Sequence, residues 1–133
     1  MKYLVRRLHK TAFYDTYVDW CILHGFPVVP TEWLPKNVFV CYNKNEEPVY
    51  CIWAWQTDSK LLWIGFPASN LNVPFKERES GLDYLLKKVN EYAKDEGYAT
   101  VFTTSGSKPV IDSLTKNDFT VGDIGINHYI KIL

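Results

Sequence analysis

Leu61-Leu62-Trp63-Ile64-Gly65-Phe66 (61–66) is a short apolar run. A helical pattern from about Arg78 to the residue before Gly97 comes next, and Tyr98-Ala99-Thr100-Val101-Phe102-Thr103 (98–103) then resumes an extended apolar pattern. A strand, a long helix and a second strand make a crossover unit, which sets its two strands parallel. The helix reads clearly. Leu82, Leu85, Leu86, Val89 and Ala93 recur at three- and four-residue spacing and form one apolar stripe. Glu77, Glu79 and Asp83 lie near its start and Lys87, Lys88 and Lys94 further along, the order the helix dipole favours; Gly97 supplies a stop.

Upstream of this unit, Pro48–Gln56 is a long apolar strand candidate. Asn43–Glu47 and Thr57–Lys60 are polar turns on either side of it, and Val38–Tyr42 is a further strand. Residues 38–66 therefore read as a three-stranded antiparallel meander. Before it, residues 3–8 suit a first strand. Thr11 is placed to cap a helix starting near Ala12, which carries Phe13, Tyr17, Trp20 and Cys21 on one face and ends at Gly25. Pro27, Pro30 and Pro35 leave room only for a short second helix. Downstream, a short helix over about 108–116 carries Val110, Ile111 and Leu114, and residues 119–123 and 127–132 read as two closing strands. The expected fold is an α/β (α+β) single domain over 1–133. Its central sheet is mixed, with about six to seven strands and helices on both faces.

Composition agrees with a packed domain. The chain has 133 residues, 47% of them apolar and 23% charged, with nine Tyr, seven Phe and five Trp. Formal net charge is zero, with no basic stripe of the kind that holds nucleic acid by its phosphates, so nucleic acid is not the expected partner. Cys21, Cys41 and Cys51 are odd in number and well separated, which suits buried thiols better than disulfides. No signal core opens the chain and no apolar run approaches the length of a membrane span, so no membrane is expected and a cytoplasmic location is the default.

The element order resembles the N-acetyltransferase (GNAT) superfamily from end to end, residues 10–36 least closely. Short accessory GNAT-like proteins of phages are similar in size. In that family the loop opening the central helix reads Gln or Arg, two residues, Gly, one residue, Gly or Ala, and its amides hold the pyrophosphate of acetyl-CoA. Here the stretch is Val73-Pro74-Phe75-Lys76-Glu77-Arg78-Glu79-Ser80-Gly81-Leu82. Lys76 takes the basic position, Gly81 the last glycine and Glu79 the first. The resemblance thus implies acetyl-CoA as co-substrate, with Lys76, Arg78, Ser80 and Gly81 near its phosphates. Ile64, Gly65 and Phe66 would lie in the strand whose bulge offers amides to the thioester. Ser69 and Asn70 would stand beside it to orient water or substrate. Physics points to the same helix start, because a helix N-terminus presents unpaired N–H groups and a favourable dipole to an anion.

The family's second pattern, an Asn before a short helix that ends in Tyr and then Lys-x-Gly-Phe, is matched at Lys116 and Phe119. Ser107 replaces the Asn, Thr115 the Tyr often used as general acid, and Asp118 the Gly. Catalytic residues stay unassigned. His9, His24 and His128 lack metal-ligand spacing, so no metal is expected. Trp53, Trp55, Trp63 and Phe66 suit sheet packing, with lining of an acceptor cleft as the lesser alternative. The resemblance implies transfer of an acetyl group to an amine of a small molecule or protein, and leaves room for a homodimer. Glu79, Ser107 and Thr115 keep a catalytically inactive GNAT-like binding or inhibitory protein as the alternative.

Overall fold

The computed structural model describes residues 2–133. Strand β1 (Leu4–His9) leads directly into helix α1 (Lys10–His24). A single 3₁₀ turn at Thr31–Trp33 is all that the proline-punctuated segment forms. Strands β2 (Asn37–Tyr42), β3 (Pro48–Gln56) and β4 (Leu61–Ser69) make the meander. Helix α2 (Phe75–Asp95), strand β5 (Thr100–Phe102) and helix α3 (Lys108–Lys116) complete the regular structure.

The five strands lie in the order β1-β2-β3-β4-β5, antiparallel up to β4, with β5 parallel to β4. The sheet has two packed faces, and the alternation of each strand decides which residue goes where. Phe39, Cys41, Ile52, Ala54, Leu62 and Ile64 face α2, where Leu82, Leu85, Leu86, Val89 and Ala93 meet them. Val38, Val40, Cys51 and Trp53 face α1 and its Phe13, Tyr17, Trp20 and Cys21. All three cysteines are buried and free, and burial pushes the Cys41 thiol up to about 12.

Several boundaries differ from the sequence expectation. His9, not Thr11, caps α1; its Nδ1 accepts from the Thr11 amide at 3.2 Å, because the chain turns from β1 into the helix with no loop between. Helix α2 opens at Phe75 rather than Arg78, since Pro74 supplies the pre-set backbone angle of a helix entry. Residues 119–123 and 127–132 form no strand, so the sheet has five strands instead of six to seven. Only Phe119 of that stretch packs against the core; beyond it Ile124 is 83% exposed and Tyr129 90%. An alternating pattern makes a strand only where a neighbouring edge accepts its backbone. Among the described residues, no helix is long and apolar enough to cross a membrane.

Candidate functional site

The site arises where β4 outruns β5. Strand β5 pairs with β4 only over Leu61–Trp63, while β3 follows β4 as far as Ser69. From Ile64 to Ser69 the second edge of β4 is therefore open. A bulge falls in this open stretch. Trp53 stands opposite Gly65 and Cys51 opposite Ala68, so β4 takes one residue more than β3 over the same interval. Phe66 absorbs it with φ of 46°, in the left-handed region. The result is visible in the packing: Ile64 faces α2, whereas Ala68, of the same parity, faces α1.

Helix α2 begins just past the end of this edge. Its first intrahelical bond runs from the Arg78 amide to the Pro74 carbonyl at 3.0 Å, and no side chain caps it. The amides of Phe75, Lys76 and Glu77 precede that bond and point out of the helix start. A cavity of about 210 Å³ lies between the open edge and this turn. Pro67, Ala68 and Ser69 line one wall, Arg78, Glu79 and Leu82 of α2 a second, and Ser107, Pro109 and Val110 a third. His24, Phe26, Tyr50 and Phe75 complete it with aromatic surface.

His24 reaches the cavity because α1 ends there. Gly25 adopts φ of 73°, its amide and that of Phe26 close the last turn, and the chain reverses. His24 then stacks on Phe26 with ring centres 4.6 Å apart. Its Nε2 lies 2.9 Å from the Ser69 carbonyl oxygen and 3.1 Å from Ser69 Oγ. Arg78 approaches the same serine from α2: Nη1 donates to Ser69 Oγ at 3.3 Å and Nε to the Val73 carbonyl at 3.0 Å, with the guanidinium over the Phe75 ring. Partial burial pushes the Tyr50 hydroxyl up to about 12, with the Arg78 charge pulling the other way.

The structure scatters the residues singled out from the sequence, and few of them line this cavity. Arg78 lines it. Ile64 is fully buried in the α2-facing core, so only its backbone is available to a ligand. Gly65 lies against the Trp55 ring, and Phe66 sits exposed at the bulge. Lys76 is exposed in the first turn of α2 and Ser80 in the second. Gly81 is buried against Val49. Ser69 belongs to the site; Asn70 instead ties its Nδ2 to the Pro48 carbonyl at 2.9 Å and braces the loop. Thr115 faces a separate hollow of about 290 Å³ between α2 and α3, and bonds the Ile111 carbonyl of its own helix at 3.0 Å. None of Trp53, Trp55, Trp63 and Phe66 is among the cavity-lining residues. Sequence reading missed His24, Phe26, Tyr50 and Phe75. Only Gly25, which fixes where α1 stops, hints at the position of His24.

No protein-family model and no curated protein matches the sequence. Solved structures do resemble it over nearly the whole chain. One is an aminoglycoside acetyltransferase, meta-AAC0020, from an uncultured soil metagenomic sample in complex with sisomicin. It is 16% identical, with 98% of this chain and 97% of that one covered and a TM-score of 0.66. The wild-type protein TTHA1254 of Thermus thermophilus is 17% identical over 98% and 97%, with a TM-score of 0.67. A Trypanosoma brucei acetyltransferase is 11% identical over 97% and 100%, with a TM-score of 0.64. At such identities the likeness is one of architecture, and by it this chain carries the fold of the GNAT acetyltransferases.

Proposed function

We propose that the chain is an acyl-CoA-dependent N-acetyltransferase acting on an amine of a small molecule or protein. The observation that carries this reading is the open, bulged edge of β4 beside the start of α2. The residues present suit acetyl-CoA in two respects. The amides of Phe75, Lys76 and Glu77, with the Lys76 ammonium, make an anion-binding turn for a pyrophosphate. The open backbone of Ile64–Ser69 offers hydrogen bonds to an extended chain, as any sheet edge does. Pro67 has no N–H, so polarisation of a thioester carbonyl falls to neighbouring amides such as that of Phe66. Acetyl-CoA supplies the activated acetyl group; the protein supplies position and a dry wall. The reading keeps Arg78, Ser80 and Gly81 near the phosphates only indirectly, through the helix that carries them.

Calorimetry with acetyl-CoA, repeated with free CoA, is the test. Modest binding of both is expected, and a Lys76→Ala variant should bind roughly fivefold more weakly, the loss of about one charge-assisted contact. Binding of neither ligand rejects the reading. One observation favours a second one, a GNAT-like binding protein without turnover: the Glu79 carboxylate lines the cavity, and the amides of residues 79–81 are already inside α2. Ligand binding with no acetyl transfer to any amine would support it.

A further inference from the structure

We propose that His24 accepts the proton that the acceptor amine must lose; the assignment rests on the acyl-transfer reading above. Among the described residues, six side chains with polar heads line the cavity: His24, Tyr50, Ser69, Arg78, Glu79 and Ser107. Tyr50 and the two serines hold their protons, and Arg78 is a permanent cation spent on Ser69 and Val73. His24 and Glu79 remain. Glu79 stands exposed on the second turn of α2, with no hydrogen bond among the described residues to fix it. His24 is held. A carbonyl oxygen can only accept, so the 2.9 Å contact to Ser69 requires that Nε2 carry the hydrogen. Nδ1 is then the free lone pair, and it has no hydrogen-bond partner among the described residues. A backbone carbonyl thus orients this imidazole as a third group orients the base in a catalytic triad. The ring also sits in the last turn of α1, a regular element that fixes its backbone. Arg78 and Glu79 are the charged side chains that line the cavity with it.

The incoming ammonium gives one proton to Nδ1. The nitrogen lone pair attacks the thioester carbonyl carbon, and a C–N bond forms. The C–S bond breaks as the carbonyl re-forms, and the excess proton on nitrogen passes to the departing thiolate. The half-exposed imidazolium returns its proton to water. The aromatic lining from Phe26, Tyr50 and Phe75 suits an aromatic monoamine better than a polycation, so tyramine is the acceptor probe.

The test measures CoA release from acetyl-CoA with tyramine, alongside calorimetry of acetyl-CoA binding, for the wild type, His24→Ala, His24→Gln and Glu79→Gln. Both His24 variants should bind acetyl-CoA within about twofold of wild type and lose on the order of 10²-fold in kcat. Added imidazole should restore part of the His24→Ala rate, which a merely structural residue would not show. Glu79→Gln should lose far less in kcat than either His24 variant. Undiminished turnover in His24→Ala overturns the assignment, as does a loss confined to Glu79→Gln, or one that imidazole leaves unchanged. A wild type that binds no acetyl-CoA fails earlier and overturns the acyl-transfer reading with it.

Discussion

Arg78 carries its charge beside a helix start, yet its guanidinium is committed to the fold. It bonds the Val73 carbonyl and Ser69 Oγ and covers the Phe75 ring at 5.5 Å, which ties the end of β4 to the first turn of α2. Lys76, two residues earlier, is exposed and has none of these contacts. In the sequence the two cations look alike, because nothing in a string of residues says which one turns inward. Their removal should therefore separate. Arg78→Ala should lower unfolding free energy by about 1–2 kcal/mol, the usual worth of hydrogen bonds from a charged group after allowance for partial exposure. Lys76→Ala should stay within about 0.5 kcal/mol of wild type while weakening ligand. Urea titrations of both variants decide it; equal stability would mean that the Arg78 contacts contribute nothing to the fold. His24 makes the same point about legibility. Its partner Ser69 lies on another element, and no local spacing links a helix end to a strand end.

Elements were legible wherever the signal was local. The apolar stripe of α2, the polar turns between β2, β3 and β4, and Gly25 at the end of α1 each act over a few residues, and each lies where the sequence puts it. The start of α2 was less so. The Glu79-Ser80-Gly81 stretch suggests a glycine-bearing loop, but Pro74 starts the helix earlier and carries that stretch into the second turn. Gly81 then serves packing. A Cβ built there would meet Val49 Cγ1 at 2.9 Å, and Val49 is fully buried in β3 with little room to retreat. The glycine is what lets α2 lie this close to the sheet. Gly81→Ala should gain up to about 1 kcal/mol of helix propensity and lose about 1–3 kcal/mol to overpacking. A net fall in melting temperature is the expected result, larger for Gly81→Val. A rise for Gly81→Ala would show that Val49 shifts freely.

At the scale of the whole molecule, two cores share one sheet, and each is closed by a single main helix. What the fold leaves unfinished is its β5 edge. Strand β5 is three residues long and bonded on one side only, with Phe102 and Trp63 exposed across it, ring centres 4.6 Å apart. Residues 124–132 set Ile124, Ile126, Ile130 and Ile132 in alternation with polar neighbours, a strand pattern whose partner is not supplied within this chain's sheet. Three of the four isoleucines are more than 70% exposed. An open edge and an unpaired amphipathic segment on the same molecule are complementary, and contact between copies would satisfy both. The full chain should therefore show a sedimentation coefficient that rises with concentration. A chain ending at Thr120 should lose that rise, since it keeps Phe119 and every buried residue of both cores. Its melting temperature should stay within about 4 °C of the full chain, the shift that roughly 1 kcal/mol produces in a domain of this size. A sedimentation coefficient that stays flat for both chains would mean that the isoleucines find no edge in a second copy. A truncated chain that melts much earlier would mean that residues 121–133 close the edge of their own sheet, completing the longer sheet that their alternation suggests.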